Sequence, residues 1–163
     1  MLSLRQVTIE DVGRVGPLVA ESWRHAYQGI LPEEVLVGAD QEFFKTLISK
    51  KLLRSQSWGL IASAGELLCG VALAEVSSSL LFISDFYVTP SKFRCGVGKA
   101  LIDGLKEFAR LGKLSHLEVA LAEANHQAAA FYAAMGFVDT GQREEVSLLG
   151  QHFTNFRLRL ALS

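Results

Sequence analysis

Hydrophobic and polar positions alternate over residues 2–7 and then switch at Thr8 to helical spacing, with Val12, Val15, Leu18, Val19, Ser22 and Trp23 on one face. Thr8 stands where an N-cap belongs, with Asp11 three residues on. Gly29 and Pro32 interrupt the pattern. A second helical stretch follows through Phe43, Phe44, Leu47, Ile48 and Leu52, with a break near Gly38. Strand-type runs return at Ser57–Ala64, Leu67–Val76 and Leu80–Val88, separated by Ala64-Gly65 and the serines at 77–79, and predict an antiparallel meander. Val97, Leu101, Leu105, Phe108 and Leu111 then mark a helix up to Gly112, and Leu114–Leu121 reads as a strand. A helix over Asn125–Met135 ends at Gly136, and Phe137–Leu148, a turn at Gly150 and His152–Leu160 close the chain as a strand pair. The fold class is therefore α+β, a mixed α/β architecture.

Composition narrows the picture. At 163 residues the chain suffices for one domain with a sizeable core and is short for two, so residues 1–163 are expected to form a single domain. Half of the residues are hydrophobic and the formal net charge is −1, which places the chain among globular proteins and gives no charge balance for nucleic acid. The N-terminus lacks the apolar core of a signal peptide, and no later segment reaches the length of a membrane span; a cytoplasmic address without a membrane partner is the default expectation. Cys69 lies in a strand-like run and Cys95 in a glycine turn, which predicts two free thiols. His25, His116, His126 and His152 show no ligand spacing on one helical face, and no metal is expected.

The most informative stretch runs from Val88 to Gly98, Val-Thr-Pro-Ser-Lys-Phe-Arg-Cys-Gly-Val-Gly, between a strand and a helix. Gly96 and Gly98 lack Cβ atoms that would keep a phosphate away, and the N–H groups opening the next helix point toward such an anion. A nucleotide-binding P-loop would continue with Lys and Ser or Thr, whereas Lys99-Ala100 follows here. The second informative block is Asn125-x-x-Ala128-x-x-Phe131-Tyr132-x-x-x-Gly136-Phe137. Asn125 and Tyr132 are about two helical turns apart, so they share a face with Ala128 and Ala129, whose small side chains leave room for a ligand.

These two blocks, with Val88-x-Pro90 and the order of elements, resemble the GCN5-related N-acetyltransferase (GNAT) superfamily over the whole chain. The resemblance implies a mostly antiparallel seven-stranded sheet flanked by about four helices, and acetyl-CoA as donor. It implies that the pantetheine arm lies along Phe86, Tyr87 and Val88. The pyrophosphate would sit on the N–H groups of Cys95, Gly96, Val97, Gly98 and Lys99, with charge added by Arg94 and Lys99. Asn125, Ala128 and Phe131 would complete the cofactor wall. Tyr132 stands where the family places its general acid; read alone, it is sooner a core tyrosine packing beside Phe131. Phe93 replaces the family's usual Arg or Gln, and Arg94 takes a usual glycine position, which puts the shape of the turn in question. Cys95 reads as an activated thiol beside Arg94 or as a small residue filling a tight turn.

On the acceptor side, the resemblance implies an oxyanion donor near Val88 on a bulged strand end. The common family Glu six residues before that valine is Phe82 here, so no carboxylate base stands at that position. Glu75, Asp85 and Glu118 remain as strand carboxylates, with a water relay as the alternative. Asp85 and Phe86 should face opposite sides of the sheet unless a bulge reorders them. The helical arm and the last two strands are expected to form the acceptor pocket, with Trp23, His25, Tyr27, Asp85, His152, Glu33 and Glu34 as candidates. The segment Trp23–Pro32 is similar to one found in many uncharacterised bacterial members. The implied activity is acetyl transfer to a primary amine, on a small molecule, a peptide N-terminus or a lysine; a non-catalytic acyl-CoA-binding module is the alternative. The apolar edge of the final strands would suit a homodimer.

Overall fold

The computed structural model describes residues 1–162. The chain opens with strand β1 (Leu2–Gln6), and a short 3-10 turn (Ile9–Asp11) leads into helix α1 (Val12–Tyr27). The Thr8 N–H donates to Asp11 Oδ2 at 2.8 Å, so the expected cap pair holds the entry to this helix. The predicted helical arm is two helices, α2 (Glu33–Gly38) and α3 (Gln41–Leu52). The break falls where Asp40 accepts from the Phe43 N–H at 2.9 Å and starts a new helix. The described residues therefore form five α-helices where about four were expected.

Strands β2 (Ser57–Ala64), β3 (Leu67–Ser77) and β4 (Leu80–Val88) form the antiparallel meander, followed by helix α4 (Val97–Leu111) and strand β5 (His116–Ala122). Strand β5 begins two residues later than the pattern predicts, because the Leu114 N–H turns back to Ala109 O at 2.8 Å and closes α4. Helix α5 (His126–Ala134) and the hairpin of β6 (Val138–Leu148) and β7 (Gln151–Ala161) complete the chain. Leu149 and Gly150 make the hairpin turn with φ of +50° and +78°, a left-handed pair suited to a two-residue connection.

The seven strands form one sheet in the order β1-β2-β3-β4-β5-β7-β6, antiparallel except between β4 and β5. Successive residues alternate between its faces. Leu60, Ala72, Leu81, Leu117 and Leu158 pack under α4 and α5, while Ile61, Val71 and Leu73 pack under α1 to α3. Along α4 the buried stripe follows Val97, Leu101, Ile102, Leu105 and Ala109. Leu111, expected on that face, falls off its edge and is 80% exposed. The feature that positions the site is the β4–β5 pair, whose register spans only Leu80–Ile83 against His116–Val119. Beyond it the two strands separate.

Candidate active site

A cleft of about 970 Å³ opens where β4 and β5 part. Its floor is the free edge of β4. The Thr89 N–H donates to Cys69 O of the neighbouring strand at 2.8 Å. The antiparallel alternation then turns the backbone groups of Tyr87 toward β3 and those of Phe86 and Val88 toward the cleft. Ser22 of α1, buried on the apolar face, donates its hydroxyl to Val88 O at 3.1 Å. The Val88 N–H is left directed at the opening.

The bulge expected at the strand end lies four residues earlier. Leu73 stands opposite Asp85 and Ala74 opposite Ile83, which leaves Ser84 as the extra residue. Without it, Asp85 would follow Leu81 and Ile83 into the core beneath α4. The shift sends Asp85 to the other face, where Lys51 of α3 donates to its two oxygens at 2.7 and 3.0 Å and the Ser84 hydroxyl donates at 2.9 Å. Phe86 takes the α5 side, with its ring centroid 5.4 Å from Phe131 and 5.9 Å from Tyr132.

Past Val88 the chain turns through Pro90–Lys92 and enters α4. Arg94 adopts φ +62°, the backbone conformation that glycine favours, and Gly96 follows at φ +83°. The Cys95 N–H is taken by Lys92 O at 3.3 Å, so it is not a free donor as expected. The N–H groups of Val97, Gly98 and Lys99 open the helix without intrahelical acceptors. The two glycines serve different ends. Gly96 meets the backbone angle on an open surface, whereas a Cβ on Gly98 would stand 2.8 Å from the Phe131 ring. Gly98 therefore brings α4 against α5. The Lys99 ammonium bonds Asp103 at 2.6 Å, while Arg94 has no ion-pair partner among the described residues.

On α5, Asn125 accepts from the Ala128 N–H at 3.1 Å and caps the helix. Tyr132 is buried among Phe86, Phe131 and Phe137, yet it lines the cleft, and its hydroxyl has no hydrogen-bond partner among the described residues. Burial, reinforced by the negative charge of Asp85, pushes this phenol well above the ordinary tyrosine value of 10. The same two influences raise Tyr87, and burial raises Tyr27, where the Asn125 side chain pulls the other way.

Trp23 and Tyr27 of α1 line the opposite wall with centroids 4.8 Å apart, and Tyr27 meets Phe153 of β7 at 5.8 Å. His25 lies edge-on to Phe93 at 5.4 Å and so belongs to the glycine-turn end of the cleft. His152 is exposed beside Ser147, Glu33 pairs with Arg24, and Glu34 is exposed; none of the three lines the cleft. Glu75 pairs with Arg54 at 2.8 Å away from it. Glu118 is 3% exposed, held by Arg157 and Arg159 below Phe82, whose ring carries the Arg157 guanidinium at 4.4 Å. Among the described residues, Asp85 is the carboxylate that lines the cleft. Cys69 and Cys95 are free, and the described residues contain no group of three or more His, Cys, Asp or Glu side chains placed to hold a metal. Ser22 and Lys51 escape the sequence reading. A hydroxyl on the apolar stripe of α1 was a signal for the first; Lys51, in the last turn of a helix, looks like any solvated cation.

The fold agrees with that of known proteins. The acetyltransferase (GNAT) family profile matches residues 20–137, and the chain belongs to that family of acyltransferases. Among solved structures it is similar to the PaiA N-acetyltransferase from Thermoplasma acidophilum in complex with coenzyme A, at 20% identity over 99% of each chain with a TM-score of 0.80. It is similar to a GCN5-related N-acetyltransferase from Rhodopseudomonas palustris, at 26% identity over 98% of this chain and 95% of that one, with a TM-score of 0.76. A third likeness is the ribosomal-protein-S18-alanine N-acetyltransferase from Escherichia coli, at 15% identity over 100% and 95% of the two chains and a TM-score of 0.74. No curated protein matches by sequence. No helix among the described residues is long and apolar enough to cross a membrane.

Proposed function

We propose that this protein transfers the acetyl group of acetyl-CoA to a primary amine bound in the same cleft. The observation that carries this reading is the Tyr132 hydroxyl, kept protonated by burial, lining one cleft with the free edge of β4 and the N-terminus of α4. The residues present fit such a donor. The N–H groups of Val97, Gly98 and Lys99, with the helix dipole and Arg94, suit a pyrophosphate. The outward backbone groups of Phe86 suit an amide-bearing arm lying along the strand toward Val88, and Asn125, Ala128 and Phe131 wall it in. When bound, acetyl-CoA supplies a thioester whose C–S bond breaks as the amine nitrogen bonds to the acetyl carbon, with one proton leaving the amine and one reaching the thiolate.

Each remaining role falls to this chain. The Val88 N–H, held in place because Ser22 occupies the carbonyl of the same residue, donates toward the acetyl oxygen. Tyr132 holds the proton that the leaving thiolate needs. Asp85 is bonded to Lys51 and Ser84, so the amine gives its proton to water. Calorimetry with CoA and a thiol-release assay with an amine panel test the reading. Binding with turnover supports it. Binding without turnover on a broad panel would favour the acyl-CoA-binding module, and absence of binding would reject both.

A further inference from the structure

The acceptor wall has a chemistry of its own. Tyr87, Val146, Leu148 and Phe153 are half-buried and line the cleft, continuing the aromatic pair of Trp23 and Tyr27. Tyr87, Leu148 and Phe153 pack against the cluster of the helical arm and keep part of their apolar surface open, so a ligand tail laid on that surface would leave water. The one carboxylate lining the cleft among the described residues, Asp85, already bonds Lys51 through both oxygens and Ser84 through one. At that end of the cleft the carboxylate oxygens are therefore already engaged. Asn155 and Ser147, which also line the wall, offer dipoles but no charge.

We infer that the acceptor is a monoamine on an apolar, aromatic-compatible tail, and that amines with a second positive charge are discriminated against; this rests on the transferase reading above. A second ammonium would give up its hydration against an apolar wall whose one carboxylate is already engaged through both oxygens by Lys51. The same wall favours the neutral form of the reacting amine, because desolvation disfavours its ammonium form.

The test uses the full chain, acetyl-CoA and thiol release with 2-phenylethylamine, hexylamine, putrescine and spermidine. The expected order places 2-phenylethylamine at least ~100-fold above both polyamines in kcat/KM, with hexylamine between. Phe153→Ala should raise KM for 2-phenylethylamine ~10-fold while leaving KM for acetyl-CoA unchanged. Phe153→Leu repeats that test if the alanine variant does not fold. Lys51→Gln releases the Asp85 carboxylate and should shift the putrescine to 2-phenylethylamine ratio ~10-fold toward the diamine. A polyamine matching or exceeding the aromatic amine, or no monoamine turning over in a protein that binds acetyl-CoA, overturns the inference and leaves the CoA assignment standing. Loss of acetyl-CoA binding itself would strike at the transferase reading instead.

Discussion

The two walls of the cleft are built by different means. The glycine-turn wall comes from Phe86, the continuous stretch from Val88 to Lys99 and one facing helix, and it presents backbone donors. The opposite wall gathers Trp23 and Tyr27 from α1, Asp85 and Tyr87 from β4, Leu148 from β6 and Phe153 from β7, and it presents side chains. Backbone donors at a helix start depend little on which side chains surround them, so such a wall tolerates departures like Phe93 and Arg94. A wall of side chains from distant segments changes whenever one of them changes. The difference teaches where a shared chemistry and a particular acceptor can be encoded in the same fold.

The largest expected effect lies on the seam between the walls. Tyr132→Phe should lower kcat ~100-fold with KM for acetyl-CoA unchanged, read by thiol release. A near wild-type kcat would remove the hydroxyl from the chemistry. Because the phenol is raised above 10, it remains protonated up to that pH, and the wild-type rate should not fall on the alkaline side below pH 10. Next, Gly98→Ala puts a methyl 2.8 Å from the Phe131 ring and should cost about 1–3 kcal/mol in denaturant unfolding. Adding Phe131→Leu should recover part of that loss, and equal loss in the double variant would sink the packing explanation.

Arg94→Gly sharpens the contrast between backbone and side chain. The change relieves a positive φ and removes one cation, so KM for acetyl-CoA should rise only ~2–5-fold with no loss of Tm. A loss of CoA binding would mean that the side chain, not the turn, holds the donor. The smallest effect concerns the entry to α1, which carries Trp23 and Tyr27. The Arg5 guanidinium, at 2.6 Å, holds the Asp11 carboxyl below its ordinary value of 3.8. A depressed folded pKa stabilises above the unfolded value and ceases to do so as pH falls through the folded one. Melting curves between pH 6 and 3 should therefore show a shallower acid decline for Asp11→Asn than for the wild type. Identical slopes would discard the linkage.

Much of this was legible in the linear pattern. The strand runs, the α1 stripe, the glycine turn and the Asn125–Phe137 block stand where the periodicities and motifs put them, because each is a local matter of side-chain period or backbone angle. Two misses share a cause in long-range packing. Leu111 has a helical spacing but no neighbour to cover it, and His152 lies on an interior-length strand yet faces solvent. The Cys95 N–H is a local exception, taken within its own turn by Lys92 O.

Local rules, then, settled the order of elements, the positive-φ need at Gly96 and the start of α4, since these follow from residues a few positions apart. Long-range packing sets where β4 and β5 part after Ile83, makes Ser84 the extra residue that turns Asp85 toward Lys51, and brings Ser22 to Val88. Register between strands and contact between helix and strand residues 34 or 66 positions apart depend on which surfaces bury one another, and no short window of sequence contains both partners.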